Sequence, residues 1–170
     1  MTNPSHTAFG LVAIVVGAIL SGCVATSADG PLNLGTDVSR ACNPLPEYRN
    51  AAFGVILPAN LPDGIRIESV TLLNAKDIDL RGLYLMPMTD ERLMLDRFPP
   101  IAQFPDAWPL AIDAIGTTLN TSSPQDLVLN VVAAPSGGKF DGLTVFYTYD
   151  GSRYRANSLF GLTLSAEPCS

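Results

Sequence analysis

The chain has 170 residues, and its composition already excludes several classes of function. Its 16 acidic and 10 basic residues give a net charge of −6 at pH 7, and no cluster of Lys or Arg indicates a nucleic-acid partner. The single histidine is His6, near the start of the chain. If that start is removed, as predicted below, the mature protein has no histidine for Ser-His-Asp or Cys-His catalysis or for His-based zinc sites. We therefore predict a protein without enzymatic activity and without a cofactor.

The N-terminal segment carries the most informative motif. An apolar run from Ala8 to Leu20 is shorter than the roughly 20 residues that span a membrane, and it leads into Leu20-Ser21-Gly22-Cys23. This motif resembles a bacterial lipobox. The resemblance implies that residues 1–22 are a cleaved signal peptide and that Cys23 becomes a lipidated N-terminus. It also implies that the lipid holds the protein on the extracytoplasmic face of the cell membrane.

One feature of the signal segment departs from the usual pattern. A signal peptide normally begins with positive charge, and residues 1–10 contain neither Lys nor Arg. The alternatives are therefore an uncleaved membrane helix, a secreted form, or a true start that lies upstream.

Residues 23–41 are predicted to form a flexible, lipidated tether. They are rich in Ser, Thr, Gly and Asp, and their apolar residues are scattered, as is typical of a disordered linker. The alternative is a first edge strand near Leu32 to Leu34. The folded domain is predicted to occupy residues 42–170.

The cysteines that remain after Cys23 are Cys42 and Cys169, one at each end of the predicted domain. We expect them to form a disulfide, as is common in oxidising compartments. Two free thiols or a two-thiolate metal site are the alternatives.

Strand signals dominate from residue 42 onward. Short apolar or alternating segments are separated by turns rich in Gly, Pro, Asn and Asp. The predicted strands are 52–57, 65–73, 78–86, 126–134, 143–149, 153–157 and 159–165. Asp150-Gly151, between two aromatic strands, predicts a tight hairpin. About seven short strands without a long helical period predict an all-β antiparallel sandwich. An immunoglobulin-like sandwich is favoured over a small barrel.

The C-terminal third adds a second resemblance. Gly142-Leu143-Thr144-Val145-Phe146-Tyr147, Gly151, Tyr154 and a closing strand from Leu159 to Leu164 resemble small actinobacterial envelope proteins. The resemblance covers about a quarter of the chain. It implies the β fold and a place in the cell envelope, and it implies no activity.

The segment from Arg97 to Gly116 is the only sequence candidate for a binding surface. Four prolines prevent regular structure, and Phe98, Phe104 and Trp108 lie among them. Such aromatics can provide a contact surface for a partner. The alternative is a long crossover that lays its aromatic rings over the core.

A methionine cluster provides a second functional hypothesis. Met86, Met88 and Met94 lie within nine residues, and thioethers suit Cu(I). The chain would then be a copper-handling envelope lipoprotein. Packing in an irregular core is the simpler explanation for methionine. The favoured prediction is a lipid-anchored binding module that recognises an unidentified envelope protein or ligand.

Overall fold

Strands form most of the regular structure of this protein. The computed structural model describes residues 30–45, 49–89, 92–120 and 122–169, and in these ranges it contains eleven strands and one 3₁₀ turn. The strands are β1 (Ser39–Pro44), β2 (Asn50–Leu57), β3 (Arg66–Leu73), β4 (Ile78–Pro87), β5 (Leu95–Arg97), β6 (Ile112–Asp113), β7 (Gln125–Ala133), β8 (Gly137–Phe140), β9 (Gly142–Tyr149), β10 (Ser152–Ser158) and β11 (Phe160–Ser165), and the 3₁₀ turn is Trp108–Leu110. The all-β prediction is confirmed.

Three sheets contain these strands. A five-stranded sheet has the order β5-β2-β7-β4-β6, and two three-stranded sheets have the orders β1-β11-β8 and β10-β9-β3. Every strand pair is antiparallel except β1 with β11, which is parallel. The predicted antiparallel pairing is therefore confirmed, whereas the immunoglobulin-like topology stays a prediction.

The main core lies against the inner face of the five-stranded sheet. Side chains alternate along a strand, so Phe53 and Val55 of β2 point inward, as do Leu127 and Leu129 of β7. They pack with Ile65, which precedes β3, and with buried residues from both smaller sheets, which are Ile67, Val70, Leu143, Val145, Tyr147, Phe140, Leu162 and Leu164. The sheets therefore face one another across one apolar layer in a sandwich-like arrangement.

A second, smaller core covers the outer face of the same sheet. The alternation places Ala52 of β2, Met86 of β4 and Val128 of β7 on that face, where they meet Leu93, Phe104 and Ala107. The last three belong to the irregular chain between β4 and β6. We call residues 98–111 the flap. It closes over a sheet face that would otherwise expose apolar side chains to water.

Part of the chain before residue 42 contacts the folded domain. Leu32 is only 4% exposed, and its amide donates a hydrogen bond to the Tyr147 hydroxyl at 3.2 Å. A Cβ at Gly30 would clash with the rings of Tyr147 and Tyr154, so only glycine fits this close approach. Strand β1 then begins at Ser39. Within the described part of the predicted tether, residues 30–41, Leu32 and the paired residues of β1 therefore contact the domain, whereas Val38 between them is 82% exposed.

The predicted disulfide is present between Cys42 and Cys169. Their Cα atoms are 5.9 Å apart, and 127 residues separate them in sequence. The bridge fastens β1 to the chain that leaves β11. Cys23 and the predicted signal peptide lie outside the described residues. Within the described ranges, no helix has the length and apolar character needed to cross a membrane.

Candidate functional site

The aromatic segment forms a packed cluster. The ring centroids of Phe98 and Trp108 are 5.3 Å apart and nearly perpendicular, and each ring also packs against Tyr84 of β4, at 5.5 and 5.3 Å. Phe104 is 3% exposed, while Phe98 and Trp108 are half-buried. Edge-to-face contacts of this kind add stability beyond the buried area. The cluster therefore joins the flap to the sheet.

This packing reduces the aromatic surface that the flap exposes to a partner. Phe104 belongs to the second core and is not a surface residue, which agrees with the crossover alternative rather than the binding surface. The exposed apolar side chains around the flap are Ile101, Leu110, Ile112 and Ile115. They are scattered over loop, 3₁₀ turn and edge strand. Ile115 lines a separate pocket beside β3 and β9, together with Arg66, Glu68 and Arg153, so the four side chains do not form one apolar surface.

The three methionines occupy different surroundings. Met86 is fully buried among the apolar residues of the second core. Met88 is half-buried beside β4, whereas Met94 is 41% exposed. Among the described residues, no group of three or more His, Cys, Asp or Glu could hold a metal ion. Met86 therefore acts as a core-filling side chain, and no observation favours copper handling.

A cleft of about 500 Å³ lies between β1 and β2. Its lining residues are Leu34, Gly35, Asp37, Ser39, Arg40, Ala41, Gly54, Val55, Ile56, Arg92, Leu93, Met94, Ser158 and Phe160. They come from four separate chain segments, which meet where the edge of the five-stranded sheet approaches the edge of the sheet that contains β1. Its volume falls in the range of about 300–1,000 Å³ that is typical of small-molecule sites.

Gly54 allows the cleft to form. The main chain at Leu93 passes directly over Gly54, where a Cβ would meet the Leu93 carbonyl group. The Gly54 amide also donates a hydrogen bond to the carbonyl oxygen of Met94 at 3.2 Å. This crossing places Arg92, Leu93 and Met94 along one side of the cleft, opposite β1.

The polar groups of the cleft are few. Arg40 pairs with Asp141, which lies outside the cleft lining. Arg92 is exposed and takes part in no ion pair within 4.0 Å among the described residues. Its charge helps to lower the pKa of the buried Asp126 carboxyl against the larger effect of burial. Asp37 is the acidic residue of the lining.

Searches against protein-family models, curated proteins and solved structures gave no significant match. The candidate site therefore rests on geometry alone. Sequence reasoning did not find it, because its residues are ordinary in type and are brought together only by the sheets. The one available signal was Gly54, a glycine within an apolar strand, since such glycines often mark a close approach of another chain.

Proposed function

We propose that this protein is a lipid-anchored, extracytoplasmic binding module of the cell envelope rather than an enzyme. The observation that carries the binding role is the apolar cleft between β1 and β2. The lipobox-like motif at Cys23 supports the anchor, and the bridge between Cys42 and Cys169 is the type of cross-link that persists in oxidising, extracytoplasmic compartments.

The docked N-terminal segment determines how far the domain can stand from its anchor. Gly30 is fixed beside Tyr147 and Tyr154, and it follows Cys23 by seven positions in the sequence. Seven extended residues reach at most about 25 Å. The cleft-lining Leu34 follows only four residues after Gly30 (34 − 30). In this proposal, the cleft binds its ligand close to the bilayer surface, because no long flexible linker separates the domain from the anchor.

Cell fractionation of a Cys23→Ala variant tests the anchor. The full chain is expressed in a bacterium with a lipoprotein maturation pathway, beside wild type and a Ser27→Ala control outside the lipobox-like motif. We expect wild type and the control to be processed and to remain in the membrane fraction. The Cys23→Ala chain should keep its signal segment or appear in the soluble fraction. Normal processing and membrane retention of Cys23→Ala would refute the anchor.

A further inference from the structure

We infer that the cleft between β1 and β2 binds a single-chain anionic amphiphile, which is an acyl chain that carries a carboxylate or phosphate group. This inference rests on the proposed binding function and assigns it a ligand class. It is independent of the anchor at Cys23, because the cleft is built entirely from residues of the folded domain.

The apolar part of the ligand is indicated by the walls. Leu34, Ala41, Val55, Leu93 and Phe160 form the apolar part of a lining that also contains the charged residues Asp37, Arg40 and Arg92. Ile56 and Met94 also line it, and they remain 36% and 41% exposed. Large apolar side chains around an open cleft favour a ligand that removes their surface from water. A fully polar ligand would not provide apolar contacts for these side chains.

The charged part of the ligand is indicated by Arg92. This residue is exposed on the same side of the cleft as Leu93 and Met94, and a guanidinium binds carboxylate and phosphate oxygens with paired hydrogen bonds. The Arg40 guanidinium is already held by Asp141. Asp37 disfavours a second negative charge on its side of the cleft, so a ligand with one anionic end fits better than a dianion.

Backbone defines the cleft on two sides. The floor at Gly54 lies directly under the main chain of Leu93, so the space there is closed by backbone and does not depend on a mobile side chain. The opposite wall is β1, which is held by the parallel ladder with β11 and by the Cys42–Cys169 bridge. Two backbone-defined walls give a site that is largely formed before the ligand binds.

Equilibrium dialysis with radiolabelled hexadecanoate, kept below its micelle concentration, tests the inference. The protein is the Cys23→Ala chain recovered from the soluble fraction, so that it carries no lipid of its own that could compete for the cleft. Ile56→Asp places a negative charge in the lining, and Leu110→Asp makes the same change at an exposed position away from the cleft. We expect Ile56→Asp to weaken hexadecanoate binding by at least tenfold, and Leu110→Asp to leave it unchanged.

A second pair of variants tests the charged end. Arg92→Gln should weaken hexadecanoate binding by about tenfold, which is the effect of losing one charge-assisted contact, while Arg155→Gln on β10 should have no effect. Hexadecanol, which lacks the charge, should bind equally to wild type and Arg92→Gln. Both cleft variants must keep the disulfide and the wild-type circular dichroism spectrum.

Three outcomes would overturn the inference. They are equal binding by the Ile56→Asp and Leu110→Asp chains, hexadecanoate binding that does not depend on Arg92, and binding to anionic vesicles with none to the monomeric ligand. The last result would identify a bilayer surface, rather than a free amphiphile, as the partner. None of these outcomes bears on membrane retention through Cys23, which the fractionation experiment measures separately.

Discussion

Asp126 is a carboxylate inside an apolar layer. It lies on β7 between Ile56 and Met86 on the neighbouring strands and has no exposed surface. The Leu93 amide donates a hydrogen bond to one of its oxygens at 3.2 Å, and the other oxygen has no partner among the described residues. Burial raises the pKa of this carboxyl above its usual value of 3.8, although the Leu93 hydrogen bond and Arg92 act in the opposite direction.

The raised pKa of Asp126 predicts the direction in which Asp126→Asn changes the stability of the protein. The native state holds the proton more tightly than the unfolded state, so ionised Asp126 lowers stability at neutral pH. This cost disappears as the pH falls through the raised pKa toward 3.8. The amide can still accept the Leu93 hydrogen bond. We therefore expect Asp126→Asn to raise the urea midpoint at about pH 7 and to have little effect below the usual carboxyl pKa.

The exposed Asp106→Asn change provides the control for that measurement. It should leave the urea midpoint unchanged at both pH values. An Asp126→Asn chain that is less stable than wild type at neutral pH would show that the ionised carboxylate contributes net stability, contrary to this interpretation.

At the scale of single elements, the flap is a structural part of the fold. It buries Phe104 and Ala107 against the outer face of the five-stranded sheet, and it half-buries Phe98 and Trp108. Such a segment stabilises the sheet by removing apolar surface from water. We therefore expect substitutions of its aromatic residues to lower the stability of the fold.

Truncating the buried ring tests this role of the flap. Phe104→Ala should lower the free energy of unfolding by about 3–5 kcal/mol, as expected for a large side chain removed from a core. Leu110→Ala, at a position 64% exposed, should change it by less than about 0.5 kcal/mol. Chemical denaturation of the three chains makes the comparison. Equal stability of Phe104→Ala and wild type would show that the flap does not cover a core.

Strand β1 depends on connections other than burial. Five of its six residues are exposed, and only Ala41 is half-buried. It is held by parallel pairing with β11 and by the bridge from Cys42 to Cys169. Because β1 forms one wall of the cleft, the disulfide also maintains the candidate site.

Reduction of the disulfide should therefore affect β1 before the rest of the fold. Hydrogen exchange of the reduced protein should show faster exchange of the amides of residues 39–45, while those of β9 remain protected. The Cys42→Ala/Cys169→Ala chain should match reduced wild type. Uniform loss of protection throughout the protein would contradict a local role.

At the scale of the whole molecule, local patterns predicted more of the fold than of the site. Each of the seven predicted strands overlaps an observed one, and the Asp150-Gly151 hairpin is present with both residues at positive φ. These signals are local, because they come from side-chain alternation and turn residues. Strand β1 was missed, since its exposed residues carry no apolar alternation and its pairing with β11 joins opposite ends of the domain.

The cleft was missed for the same reason. Leu34, Val55, Leu93 and Phe160 are unremarkable in their local sequence, and only the approach of two sheet edges brings them together. The aromatic segment drew attention because Phe, Trp and Pro are conspicuous in composition. The structure shows that such composition also fits a segment that must pack without regular strand pairing.

Mass spectrometry of the protein isolated from native envelope tests the proposed lipid anchor at Cys23. We expect an N-terminus at Cys23, with the mass of a diacylglyceryl group on that residue and residues 1–22 absent. A chain that retains residues 1–22, or that begins elsewhere with an unmodified Cys23, would contradict it.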